Sequence, residues 1–246
     1  MLTAMKRFFP LLVIAVFSQL SLSAQQTTHP PRFYVELSTG PSFPIGNFKV
    51  KDNIALSDYD EGKLSGGALP GLQGNLKVGA WLDGNWKLFI QGGYSYHQQD
   101  EDAVTETLND PNIQDASVAV DIKTDKWRSY QGLGGVTYHA PFYEGSRLAY
   151  EATMAIGIDR SIRPAVSFTA VDQYGTRTPV NYAETKMPAA FAWDVAFGIS
   201  YRVAYNIDIL GNINYYNAYP KRKSGEPEQK YEMAVLQVLL GLGFSF

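Results

Sequence analysis

Ser95 and His97 are the residues of this chain that come nearest to a nucleophile and its base. A serine hydroxyl attacks only when a base takes its proton and a third group orients that base. Two positions apart on a strand, both side chains share a face. Spacing alone does not define a hydrolase, and no third member stands near them in sequence. The other histidines, His29 and His139, have no such neighbour. Asp100, Glu101 and Asp102 would attract a divalent cation, but they lack the alternate spacing and the glycine of a calcium loop. A solvated acidic stretch is the expectation there. Gly132-Leu133-Gly134-Gly135 is not a nucleotide fingerprint, because it lies inside a strand with no helix after it. The chain has no cysteine, hence no thiolate metal site, no disulfide and no lipid-anchored N-terminal Cys. Its formal charge of −3 argues against nucleic acid. No catalytic residue, cofactor or metal ligand is expected.

A second set of ionisable residues carries more weight. Glu36, Lys77, Lys87, Glu151, Asp159, Asp194, Arg202 and Asp208 all fall on the minority face of an alternating segment. Unpaired charges are costly away from water, so residues of opposite sign on such a face should meet. Glu36, Lys77, Lys87, Glu151, Asp194 and Arg202 are expected to form a polar network that plugs an interior. A narrow polar or ion path is the alternative use of the same residues.

The segments that must position them have a period of two, which belongs to strands. They run over about 33–43, 67–82, 86–96, 127–140, 147–161, 188–203, 207–219 and 231–246. The sixth is the cleanest: Phe191, Trp193, Val195, Phe197, Ile199, Tyr201 and Val203 oppose Ala190, Ala192, Asp194, Ala196, Gly198, Ser200 and Arg202. Each is long enough for the ~9–11 residues of a tilted membrane strand. Connections alternate long and short, the short ones being Asp83-Gly84-Asn85, Pro141–Ser146 and Ala204-Tyr205-Asn206. Short turns on one side and long loops on the other are the pattern of a transmembrane barrel. A soluble eight-stranded barrel or sandwich would show the same alternation turned inside out. The glycine- and alanine-rich minority face favours the membrane reading, since soluble surfaces carry more charge. Aromatic residues near both ends suggest two interfacial girdles, with Trp81 and Trp86 in one and Trp127 and Trp193 in the other.

The N-terminus reads as a targeting segment. Lys6 and Arg7 precede the apolar run Leu11–Leu22, and Ser21-Leu22-Ser23-Ala24 offers small residues for cleavage near Ala24. Loss of this leader takes the formal charge from −3 to −5. No later run approaches the ~18 apolar residues of a membrane helix. A mean hydropathy of −0.18 and 13% aromatic content suit a barrel whose strands turn half their residues to a polar interior.

The last strand alternates Ala234, Leu236, Val238, Leu240, Leu242, Phe244 and Phe246 against a smaller, more polar face. These residues resemble the C-terminal signal strand of Gram-negative outer-membrane proteins. The exit of the first strand, Gly40-Pro41-Ser42-Phe43-Pro44-Ile45-Gly46-Asn47-Phe48, also resembles the outer-membrane β-barrel domain family and its small, eight-stranded OmpA/OmpX-like members. That resemblance implies an all-β, antiparallel up-and-down transmembrane barrel over 33–246, after a signal peptide 1–24 and a lead-in 25–32. It implies outer-membrane localisation, contact with lipid, and recognition of Phe244 and Phe246 by the barrel-insertion machinery. Family membership does not fix function. A non-enzymatic protein, structural or binding a surface partner through loops 44–66, 98–126 and 162–187, is expected first. A pore or transporter for small or apolar solutes is the alternative, and a lipid-modifying enzyme comes third.

Overall fold

Alternation of apolar and polar side chains governs the long elements of the computed structural model, which describes residues 33–51, 54, 65–82, 84–109, 118–222, 229–230 and 232–246. The leader 1–24, the lead-in 25–32 and most of 49–66 lie outside them. In chain order the elements are β1 (Phe33–Ile45), β2 (Ala68–Trp81), β3 (Trp86–Gln99), α1 (Glu101–Leu108), β4 (Val118–Thr124), β5 (Lys126–Pro141), β6 (Leu148–Arg163), β7 (Val166–Val171), β8 (Arg177–Tyr182), β9 (Thr185–Lys186), β10 (Ala190–Ala204), β11 (Ile207–Ala218), β12 (Lys221–Arg222), β13 (Gln229–Lys230) and β14 (Met233–Ser245). A single-turn 3-10 helix, Gly46–Phe48, follows β1.

Eight long strands pair antiparallel in the order β10-β11-β14-β1-β2-β3-β5-β6, and β6 pairs back onto β10. The sheet is therefore a closed eight-stranded barrel. Closure satisfies every backbone ladder and leaves no edge in the ring. The register carries the alternation across strands: outward Leu37 lies opposite Leu76 and Leu242, while inward Glu36 lies opposite Lys77 and Gly243. The outer belt is apolar and bare, with Ile90 71%, Leu240 69% and Phe197 68% exposed. In water such a surface would aggregate; against hydrocarbon it is the favourable face. Among the described residues no helix is long and apolar enough to cross a membrane. Short connections close one end of the barrel, and Gly145 takes φ +78° in the turn after β5, a conformation that a side chain would strain.

At the other end the structure departs from the sequence reading. Residues 97–126 and 162–187, read as loops, contain α1, β4, β7 and β8. The three strands form a separate sheet, β4-β7-β8. Ile54, Ala103, Val104, Leu108, Ala119, Val166 and Phe168 build a second hydrophobic core beneath it. The cause is local. Asp100 caps α1 by accepting from the Asp102 and Ala103 amides at 3.1 and 3.2 Å, and Glu101 and Asp102 place negative charge in its first turn. Val104 and Leu108, one turn apart, then point to the same buried face. Asn109 fixes the end of α1 to β4, its Oδ1 accepting from the Ala119 amide at 2.8 Å. Acids expected to lie solvated thus start a helix.

Two of the four tryptophans leave the expected girdles. Trp127 is 1% exposed inside the barrel mouth, where its Nε1 donates to the Gly66 carbonyl at 3.0 Å. Trp81 turns inward over Lys87.

Candidate functional site

Inward-pointing positions of the barrel strands build a lumen core in layers. Nearest the short turns, Lys87 of β3 donates to Glu36 of β1 at 3.3 Å and to Glu151 of β6 at 2.7 Å. Lys77 of β2 reaches the other oxygen of Glu36 at 3.2 Å. His139 of β5 donates from Nδ1 to Glu151 at 2.9 Å. In the ring order, β1 and β6 stand four strands apart, on opposite walls. Glu36, Lys87 and Glu151 therefore span the barrel's diameter. The rings of Tyr34 and Trp81 cover the Lys87 ammonium at 5.0 and 4.8 Å. Desolvated charges hold together this way only when each has a partner of opposite sign.

A layer of amides lies further along. Gln73 of β2 donates to Asn75 and, at 3.4 Å, to Gln131 of β5, and accepts from Gln237 of β14 at 3.3 Å. A methyl group at Gly93 would come within 2.7, 2.8 and 2.9 Å of Asn75, Gln131 and Gln73. The lumen is full at this level. Asp159 of β6 accepts from Ser129, Ser161 and, at 2.9 Å, Tyr216. Phe48 and Trp127 close the far mouth, their rings edge to face with centroids 5.5 Å apart.

The six residues expected to form one network separate. Glu36, Lys77, Lys87 and Glu151 come together. Asp194 stands apart, accepting from Asn214 Nδ2 at 2.9 Å, with no side-chain donor to its Oδ1 among the described residues. Arg202 sits at the short-turn rim, half-exposed, with its Nε donating to Asp208 at 3.2 Å. His139 and the glutamine cluster form no sequence motif; strand parity places them inward, and the register brings them to Glu151 and to one another. Phe244 and Phe246 lie on the outward face at the end of β14, where the Phe246 amide donates to the Phe33 carbonyl at 2.9 Å.

Ser95 and His97 do not pair. His97 donates from Nδ1 to the Leu69 carbonyl at 3.2 Å, and that tautomer leaves Nε2 to accept from Ser42 at 3.4 Å. Ser42 is fully buried. Among the described residues no group of three or more His, Cys, Asp or Glu could hold a metal ion.

A closed antiparallel barrel with an apolar belt, a polar core and short turns at one end defines an integral membrane protein of the outer-membrane type. The chain belongs to the outer membrane protein beta-barrel domain family, which matches residues 11–246. No curated protein sequence matches it. It is similar to neisserial surface protein A, at 14% identity over 87% of this chain and 97% of that one, TM-score 0.44. It is also similar to Ail, the attachment invasion locus protein of Yersinia pestis, at 13% identity over 89% and 100%, TM-score 0.41. A major outer membrane protein of Thermus thermophilus compares at 13% identity over 89% and 100%, TM-score 0.43.

Proposed function

We propose that this chain is a non-enzymatic outer-membrane barrel that binds a partner at the cell surface through its α1, β4, β7 and β8 module. The observation carrying this reading is the module's own apolar core, with Val104 wholly buried and Phe168 5% exposed. Closing a barrel requires only tight turns at these positions, whereas long connections with their own structure are commonly functional. The hairpin between β7 and β8 projects Tyr174, which is 84% exposed. Asp172 accepts from the Tyr174 and Thr176 amides at 2.8 Å and fixes that turn. A rigid exposed aromatic is the kind of residue that anchors an interface. The packed lumen supports the same reading, because the amide layer and the Phe48–Trp127 plug obstruct a through-path. Export by cleavage near Ala24 and insertion guided by Phe244 and Phe246 belong to this proposal.

The experiment replaces residues 100–125 and 164–189 with tight turns. The shortened barrel is expected to fold and insert, while the cellular phenotype matches complete deletion. If the shortened barrel restores the wild-type phenotype and conducts in planar bilayers, the function lies in the lumen and the pore reading replaces this one.

A further inference from the structure

The short-turn mouth of the barrel holds a cavity of about 710 Å³. That volume falls within the ~300–1,000 Å³ usual for small-molecule sites. Phe33, Trp81, Leu82, Ala149 and Tyr205 supply an apolar wall. His139 lies at its inner limit, with Nδ1 committed to Glu151, so the ion pairs of the lumen form the ceiling. Phe33, Leu82 and Tyr205 are exposed at its short-turn rim, and the ion pairs lie on its inner side.

Its charge is one-sided. Besides the Tyr205 phenol, the ionisable lining residues are His139, Arg147, Arg202 and Asp208. Asp208 is matched by the Nε of Arg202. Arg147 has no ion pair among the described residues, and the terminal nitrogens of Arg202 are likewise uncommitted among them. The two arginines are neighbours, the Arg202 amide donating to the Arg147 carbonyl at 2.8 Å. Two guanidinium groups at the rim of an apolar pocket match a carboxylate or phosphate carried on a hydrocarbon chain. Short turns of such barrels lie at the level of the periplasmic leaflet's head groups.

We infer that this vestibule binds a single-chain amphiphile with an anionic head group. The head engages Arg147 and Arg202, and the chain lies along Phe33, Trp81 and Leu82. Trp81 reports occupancy directly, because it is inside the barrel while Trp86 lies on the outer face. The full-length mature protein is placed in zwitterionic lipid nanodiscs, and the Trp81 indole resonance, assigned with Trp81→Phe, is followed during titration with octanoate. A saturable shift confined to the Trp81 indole is expected. Affinity should fall at least about tenfold in Arg147→Gln/Arg202→Gln, a rim variant whose other indole resonances should stay in place. Ser200→Leu, which fills the cavity from the wall, should abolish the shift without touching either arginine. Butyrate should bind more weakly than octanoate, as a lipid-derived ligand requires. Octyl phosphate binding tighter or looser than octanoate states which head group is preferred, and either order upholds the site. Equal binding of octanol and octanoate, equal binding of inorganic phosphate, or no saturable shift would each overturn it. So would binding that appears only after residues 25–32 are deleted, since the lead-in would then be the natural occupant.

Discussion

The barrel lumen and the module above it are two cores within one chain, built by opposite rules. The lumen buries Glu36, Lys87, Glu151, Gln73 and Asp194 beside Tyr34, Phe89, Leu133 and Leu239, and the strands turn most of their leucines outward. The module buries Val104, Leu108 and Phe168 and turns acids outward. Hydrocarbon around the barrel accepts apolar side chains without cost, so the interior can take charged and amide groups among its aromatic residues, provided that they satisfy one another. Water around the module rewards the reverse arrangement. A core's composition is therefore set by what surrounds the wall, and a single chain changes rule where β3 gives way to α1.

The comparison breaks most sharply at Lys87. Lys87→Met leaves Glu36 to Lys77 and Glu151 to His139 alone, and should cost about 3–5 kcal/mol, the scale for breaking a buried ion pair. Chemical unfolding in lipid vesicles measures it. Adding Glu151→Gln should recover most of the loss, because Glu36 keeps its ion pair with Lys77 and no unpaired carboxylate then remains. Leu108→Ala acts on the other core and should cost about 2–5 kcal/mol there. Limited proteolysis should then cut within the module while the barrel remains intact; loss of both together would merge the two cores into one cooperative unit.

Phe197→Arg tests the outer wall and should cost about 2–4 kcal/mol near the membrane midplane. Equal stability of variant and parent in lipid refolding titrations would place Phe197 outside the hydrocarbon.

The smallest effect is at Asp100, whose loss as an N-cap in Asp100→Ala should cost about 0.5–2 kcal/mol in the module alone. Its carboxyl is held below the usual carboxylate range by the Lys51 ammonium at 2.5 Å and by the amides of α1. Lys51 is correspondingly raised by Asp100. A depressed carboxyl stabilises above its unfolded value of about 3.9, and that support is lost as pH falls through the folded value. The raised lysine stabilises below its unfolded value of about 10.4 and loses this as pH rises through the folded one. Amide exchange in α1 should therefore be slowest between about pH 4 and pH 10 after correction for intrinsic rates. A flat profile would remove the Lys51–Asp100 pair as a support of the module.

The barrel was legible because strand periodicity is a local property that many residues repeat. Phe191 to Val203 state their faces without help from the rest of the chain. The module was not, because its evidence is short: one cap at Asp100, one apolar pair at Val104 and Leu108, and strands of six or seven residues. Such elements form only when they find each other, and β4 meets β7 across more than forty residues of sequence. The lumen was legible in part. Parity places Glu36, Lys87 and Glu151 inside, but which acid meets which base depends on stagger around the ring. Asp194 and Arg202 share the inward face of one strand and still sit at different depths. Trp127 sits near a strand end, where a girdle residue is expected, but it shares the inward parity of Ser129 and Gln131 and so meets Phe48 inside.

A hoop of eight strands is easily flattened along any diameter. Glu36 and Glu151 mark the ends of one diameter, tied through Lys87. Gln237 and Gln131 mark the ends of the next, at another height, tied through Gln73. Two struts rotated by one strand resist ovalisation in different directions. Changes in lateral pressure in the bilayer are then borne by the wall as a whole, and the module rides on a base of fixed cross-section.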